Sequence, residues 1–174
     1  MSPEMTANDP VAPDDLPARD PSLPEAVEIY DTTLRDGAQL EGISLTVEDK
    51  LRIAEQPDYL GVDYIEAGWP GANPKDTEFF ARAPGELKLT TSTLVAFGST
   101  RRVKGKVDRD DTLRHLVESG VGTVCIVGKT WDYHVTEALN TDLDEGVAMV
   151  ADSVEFLCRA GLQTMFDAEH FFDG

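Results

Sequence analysis

Polar side chains follow apolar segments at several points along this chain, and their types could do chemistry. In "IYDTTLRDGAQ" (29–39) a short apolar start runs into Arg35 and Asp36, and Glu66 lies inside "YIEAGW" (64–69). Similar residues end three later apolar segments: Ser99, Arg101, Lys129, Asp167, Glu169 and His170. In a (β/α) barrel the carboxyl ends of the strands meet at one rim, where the active site of such a fold lies.

Glu66 is the most informative of these residues. A carboxylate between apolar neighbours needs a partner of opposite charge to be tolerated in the interior, and Arg35 at the end of the preceding apolar segment is the obvious candidate. Such a pair fits an active site, and it equally fits a buried structural ion pair. Lys129 and Arg101, each considered alone, have the simpler interpretation of solvated loop residues.

The elements that would position these residues alternate along the chain. Five segments have the apolar character of strands: "VEIY" (27–30), "VDYIEAG" (62–68), "LTTSTLVAFG" (89–98), "GTVCIVG" (122–128) and "LQTMFDAEHFF" (162–172). Between them, helical patterns begin at the Thr46 cap, cover 73–83 and 110–119, and place Val147, Val150, Ala151, Val154 and Leu157 at helical spacing.

This alternation predicts parallel βαβ units, and the nearly continuous apolar strands indicate that both faces of the sheet are covered. Periodicity does not separate an open doubly wound sheet from a barrel. The first strand is not followed by G-x-G-x-x-G, which disfavours a dinucleotide-binding fold.

Charge and hydropathy exclude several classes of protein. The net charge of -18 argues against binding to nucleic acid or to an anionic membrane, because both would repel it. No apolar run approaches the roughly 18 residues that a membrane helix needs, and the amino terminus has no export signal. We therefore expect a cytoplasmic protein with reduced, buried cysteines at 125 and 158.

The chain divides at about residue 25. Residues 1–25 are rich in proline and acidic groups, so they cannot bury enough apolar area to offset the entropy lost on ordering. We predict a disordered acidic tail over 1–25, followed by a single α/β domain over 26–174.

Several long segments resemble one known family. "DTTLRDGAQ" (31–39) is similar to the signature of the metal-dependent lyases and synthases built on TIM barrels. "DYIEAGWPGANPKDTEFF" (63–80), "LVAFGSTRR" (94–102), "GKTWDYHV" (128–135) and "FDAEHFFDG" (166–174) resemble the citramalate synthase branch of the isopropylmalate and homocitrate synthases. The resemblance covers about 27–174, and it implies a partial TIM (β/α)8 barrel with about the first five strands and four helices.

The resemblance also implies roles for individual residues. Asp36 matches the ligand of a divalent metal, for which an oxygen donor suits Mg2+ or Mn2+. Arg35 matches the arginine that stabilises an enolate or alkoxide oxygen, and Glu66 matches the glutamate that positions it. Gln39 belongs to the signature and would bind substrate or order its loop, and Glu169 lies where the synthases place a carboxylate near the substrate pocket. His170 has a structural interpretation, because the metal histidines of the family come from a later H-x-H motif.

The implied reaction is an acyl transfer. It condenses acetyl-CoA with a 2-oxo acid, with pyruvate giving citramalate in isoleucine and leucine biosynthesis, and it then hydrolyses the thioester. The implied partners are these small molecules, acetyl-CoA acts as co-substrate, and full-length relatives are expected to be homo-oligomers. A metal-dependent aldolase or lyase of the same superfamily is the alternative reaction.

Two features depart from the family pattern. A complete barrel has eight strands and typically about 250 residues, so strands six to eight and the H-x-H motif are missing from these 174 residues. The chain is therefore expected to be an incomplete copy, with an inactive fragment or a half-barrel association module as the alternative. Pro57 falls inside the first helical pattern, which predicts a break near Gln56 or a drifted sequence.

Overall fold

The computed structural model describes residues 24–174, so the tail predicted over 1–25 lies almost entirely outside the described residues. Strands and helices alternate within them. The strands are β1 (Tyr30–Asp31), β2 (Tyr64–Glu66), β3 (Thr93–Ser99), β4 (Thr123–Lys129) and β5 (Gln163–Glu169). The helices are α1 (Val47–Leu60), α2 (Pro74–Glu86), α3 (Asp111–Glu118) and α4 (Leu143–Arg159). The predicted elements are all present, and the strands begin one to four residues later than predicted.

The strands form one sheet in which every neighbouring pair is parallel. Their order in space, β1-β2-β3-β4-β5, is the order along the chain. A doubly wound sheet reverses its strand order at a switch point, whereas a (β/α) barrel does not. The topology therefore decides the question that the sequence pattern left open, and the prediction of a partial barrel is confirmed.

The two faces of the sheet have different partners. The outer face packs against the helices in an apolar core that includes Ile65, Ala96 and Ile126 of the sheet and Leu51 and Leu113 of the helices. The inner face carries a smaller cluster: Val95, Phe97 and Cys125, flanked by Tyr30, Tyr64, Trp69, Val127 and Met165. This inner face leads to the carboxyl ends of the strands.

Helix α1 has the predicted start and does not break. Thr46 and Asp49 form a capping box, in which each side chain accepts from the other residue's backbone N–H. The break predicted at Pro57 was wrong, because the proline lies in the last turn of the helix. There it removes only its own bond to the preceding turn, and Gly61 N–H and Val62 N–H still donate to the carbonyls of Asp58 and Pro57.

Helix α4 buries only part of the apolar set predicted at helical spacing. Leu157 is buried and Val154 packs against the core as predicted. The other buried residues are Gly146, Met149 and Ser153, whereas Val147 is 70% exposed and Ala151 is exposed. Cys125 is buried and free as predicted, but Cys158 on α4 is exposed, so that part of the prediction was wrong. No helix within residues 24–174 is long and apolar enough to cross a membrane.

Candidate active site

Arg35, Glu66 and Tyr30 form a hydrogen-bonded group at the carboxyl ends of β1 and β2. Arg35 Nε donates to Glu66 Oε1 at 2.5 Å, and Tyr30 Oη donates to Glu66 Oε2 at 2.7 Å. Glu66 is only 1% exposed, so both of its oxygens receive a donor in the interior. The predicted pairing of Arg35 with Glu66 is present, and Tyr30 is a third member that the sequence pattern did not reveal.

The turn after β1 fixes the position of Arg35. The backbone N–H groups of Arg35, Asp36 and Gly37 all donate to the carbonyl of Thr32, at 2.9 to 3.1 Å. Leu34 anchors the turn in the core at 1% exposure. The arginine therefore leaves a backbone that is held by β1, by the buried leucine and by the hydrogen bonds to the Thr32 carbonyl.

The guanidinium of Arg35 is held from two further sides. Its Cζ lies 3.9 Å from the centre of the Phe97 ring, a cation–π distance, and its Nη1 lies 3.4 Å from Asp36 Oδ1. No hydrogen bond from Nη2 to any of residues 24–174 is present. Gln39 is exposed and borders a small cavity of about 200 Å³ that Arg35 also lines.

A cavity of about 630 Å³, called the main cavity below, opens at the same rim. Its walls include Arg35 and Phe97 on one side and Lys129, Asp167 and Glu169 on the other. Lys129 and Glu169 are neighbours across β4 and β5, and their side chains form an ion pair. The structure thus places the predicted residues Arg35 and Glu169 around one space.

Arg101 is buried, so its interpretation as a solvated loop residue was wrong. It is 4% exposed, and its guanidinium forms ion pairs with Glu145 at 2.7 Å and Asp152 at 2.7 Å, both on α4. Its backbone N–H donates to Ser153 Oγ at 2.8 Å. An arginine just after a strand gives no local sign of burial, because its acidic partners lie more than forty residues further along the chain.

Two groups on the inner face have shifted pKa values. Burial, and then the hydrogen bond to Glu66, raise the pKa of the Tyr30 phenol far above its usual range. Burial raises the pKa of the Cys125 thiol to about 11. Both groups are therefore protonated near neutral pH, and Tyr30 acts as a donor to Glu66.

The described residues do not by themselves make a metal centre. Asp36, the predicted ligand, has a side chain that is 65% exposed. Residues 24–174 contain no group of three or more His, Cys, Asp or Glu side chains placed to hold a metal ion. A single carboxylate falls short of the six or so ligands that Mg2+ takes, so no chemical step is assigned to a metal here.

The family model described as HMGL-like matches residues 26–173, which is most of the chain. The chain belongs to the HMGL-like family. Curated relatives with high similarity are (R)-citramalate synthases. The one from Streptomyces coelicolor is 53% identical over 152 residues, which is 87% of this chain and 28% of that protein. The one from Aquifex aeolicus is 51% identical over 152 residues, which is 87% of this chain and 29% of that protein.

Solved structures of this HMGL-like fold agree with the topology. Hydroxymethylglutaryl-CoA lyase from Pseudomonas aeruginosa superimposes with a TM-score of 0.61 at 21% identity, over 83% of this chain and 46% of the lyase. At that identity the likeness shows the fold alone. The chain spans less than a third of the two synthases described above and about half of the lyase.

Proposed function

We propose that this chain forms the amino-terminal half of a synthase barrel that condenses acetyl-CoA with a 2-oxo acid, with pyruvate as the first candidate and citramalate as the product. One observation carries the proposal. Buried Glu66 holds Arg35 by its Nε, while Nη2 has no hydrogen-bond partner among residues 24–174. The guanidinium is thus fixed and still has a donor to offer at the cavity. The similarity to (R)-citramalate synthases supports the choice of substrates.

Arg35 would act on the oxygen that gains charge in the reaction. The methyl group of acetyl-CoA first loses a proton to a base, and the resulting enolate carbon adds to the carbonyl carbon of the 2-oxo acid. That carbonyl oxygen then becomes an alkoxide, which is protonated afterwards. A guanidinium is always protonated, so it stabilises this charge and does not remove protons. Because Glu66 and Phe97 already hold the arginine, little reorganisation is needed when the charge develops.

Glu169 and Gln39 would complete the substrate contacts. Glu169 lines the cavity from β5 in an ion pair with Lys129, and Gln39 borders the smaller cavity that Arg35 also lines. The metal that the family resemblance implies, Mg2+ or Mn2+, would need ligands beyond Asp36. We therefore expect the 174 residues alone to lack activity.

The test measures release of free CoA thiol from acetyl-CoA with Mn2+ and pyruvate. The chain is assayed alone and mixed with a separately expressed carboxyl-terminal part of the Streptomyces coelicolor relative. We expect thiol release only in the mixture. Arg35→Met should lower this rate by about 100-fold or more, the usual effect of losing one oxyanion donor. Arg114→Met, an exposed arginine on α3, is the matched control.

Three results would contradict this proposal. Full activity of Arg35→Met in the mixture would remove the arginine from the chemistry. Cleavage of 3-hydroxy-3-methylglutaryl-CoA in place of condensation would favour the lyase alternative. Activity of the chain alone would show that residues 1–174 supply a complete site.

A second candidate, a half-barrel association module, is favoured by an exposed apolar surface beside β5. This surface combines Leu143 and Val147 on α4, 50% and 70% exposed, with Phe166 on β5 at 37%. They border a cavity of about 520 Å³. Val147→Glu should weaken association with the carboxyl-terminal part, whereas Val117→Glu on α3 should not; equal effects on sedimentation of the mixture would argue against this surface.

A further inference from the structure

A basic loop follows β3 at the rim of the main cavity. Residues 101–109, "RRVKGKVDR", hold five of the 15 Lys and Arg residues in a chain of net charge -18. Arg102 and Val103 of this loop line the cavity together with Arg35 and Lys129. This cluster of positive charge beside the cavity contrasts with the net negative charge of the whole protein.

The backbone of the basic loop is firmly held. Buried Arg101 ties its start to Glu145 and Asp152 of α4. The Lys104 N–H donates to Glu145 Oε1 at 2.6 Å, and the Arg102 N–H donates to Asp110 Oδ2 at 3.0 Å. Glu145, Asp152 and Asp110 are thus engaged by Arg101 or by backbone groups. Asp108 is a further carboxylate within the loop, and Asp167 and Glu169 line the same cavity as Arg102.

The next cations along the loop are left without ion pairs. Arg102 and Lys106 are exposed, and neither side chain forms an ion pair with residues 24–174. Some other surface arginines, such as Arg82 and Arg159, are paired with neighbouring glutamates, whereas Arg52 on α1 is exposed and unpaired among residues 24–174. A firmly held loop that carries one unpaired cation at the cavity, Arg102, and a second four residues further along, Lys106, is a preorganised site for an anion.

We propose that the basic loop binds the phosphate groups of the acyl-CoA co-substrate through Arg102 and Lys106, with the acyl end of the molecule in the cavity. This inference rests on the proposed function, because the synthase reaction is what brings acyl-CoA to the site. A guanidinium binds phosphate oxygens in a bidentate manner, and an ammonium adds a point charge. The positive charge of the loop would also attract the anionic co-substrate, because a strongly acidic protein repels a polyanion except where its charge is locally reversed.

The experiment measures binding of CoA to the 174-residue chain by calorimetry, without any 2-oxo acid. Pantetheine, which lacks all the phosphates, and inorganic phosphate are the comparison ligands. The site variant is Arg102→Gln/Lys106→Gln. The matched control is Arg52→Gln/Lys88→Gln, which also removes one arginine and one lysine from exposed positions without ion pairs among residues 24–174.

We expect CoA to bind the wild-type chain at least about tenfold more tightly than pantetheine or free phosphate. The site variant should lose about tenfold or more in CoA affinity, as the loss of charge-assisted hydrogen bonds predicts, and should keep its affinity for pantetheine. The control should stay within about twofold. Equal losses in the two variants, or CoA binding no tighter than pantetheine in the wild type, would overturn the inference. Because no condensation is measured, a failure of the synthase assay alone would leave the phosphate site standing.

Discussion

The hydroxyl of Tyr30 offers a sharp test of how the arginine is held. Tyr30→Phe removes the donor to Glu66 Oε2 and keeps the ring that packs on the inner face of the sheet. Tyr64→Phe is a matched control, because Tyr64 lies at the same register on the adjacent strand. Its hydroxyl reaches only the exposed Glu28, at 3.3 Å.

The expected loss of stability in Tyr30→Phe follows from the burial of Glu66. A hydrogen bond to a charged acceptor contributes about 1.5 to 3 kcal/mol, and Glu66 has no access to water that could replace the lost donor. Tyr30→Phe should therefore lower the free energy of unfolding by about 1.5 to 3 kcal/mol. Tyr64→Phe should lower it by less than about 0.5 kcal/mol, as expected for an exposed contact. Urea unfolding at pH 7 measures both values.

An alkaline titration reports Tyr30 directly. The chain has four tyrosines, and burial with the bond to Glu66 raises the pKa of Tyr30. Tyr30 should therefore contribute no tyrosinate absorbance in the native wild type at pH 11 to 12, although an ordinary tyrosine ionises near pH 10. Tyr30→Phe should leave this absorbance unchanged.

The sign of the pH dependence follows from the same shift. The pKa of Tyr30 is higher in the folded than in the unfolded state, so its contribution to stability is complete below the unfolded value near 10 and is lost as pH rises above it. Tyr30→Phe should remove this part of the alkaline loss. A loss of tyrosinate absorbance at pH 11 to 12 in Tyr30→Phe, or equal destabilisation by the two variants, would refute the proposed link to Glu66.

Three further predictions concern the scaffold. Burial alone would raise the pKa of Asp58, but N–H groups of Thr90–Ser92 outweigh it and lower this pKa. Asp58→Asn should therefore lower the free energy of unfolding by about 1 to 3 kcal/mol at pH 7. The stabilisation by the Asp58 carboxylate is lost as pH falls below the unfolded pKa near 3.9, so urea unfolding at pH 3 should show a smaller difference between variant and wild type. An unchanged difference would contradict the reasoning. Arg101→Met, which leaves Glu145 unpaired, should lower stability by several kcal/mol in the same assay, unlike Arg102→Met. Deletion of residues 1–23 should leave the melting temperature of the rest nearly unchanged; a large decrease would show that the tail packs.

The sequence predicted correctly those features whose signal lies within a short segment of the chain. Arg35, Asp36 and Glu66 could be placed at one rim because each lies at the end of a strand, and parallel strands end at one edge of the sheet. Tyr30 was missed because an aromatic residue in a strand has no local feature that reveals a polar partner. Its link to Glu66 exists only once β1 and β2 are paired.

Helix α4 shows why the core prediction failed where it did. A helix outside a barrel contacts the sheet with one face and neighbouring helices with others, so an apolar periodicity does not indicate which face is buried. Here Gly146, Met149 and Ser153 face the interior and Ser153 is satisfied by bonds to Met149 and Arg101, whereas Val147 remains exposed. Its apolar face continues onto Phe166 of β5, where the sheet ends at an edge strand. An apolar helix face beside an unpaired strand is the kind of surface that further parallel strands and helices cover. The uncovered edge at β5 is therefore one reason why we expect activity only when the carboxyl-terminal part of the barrel is added.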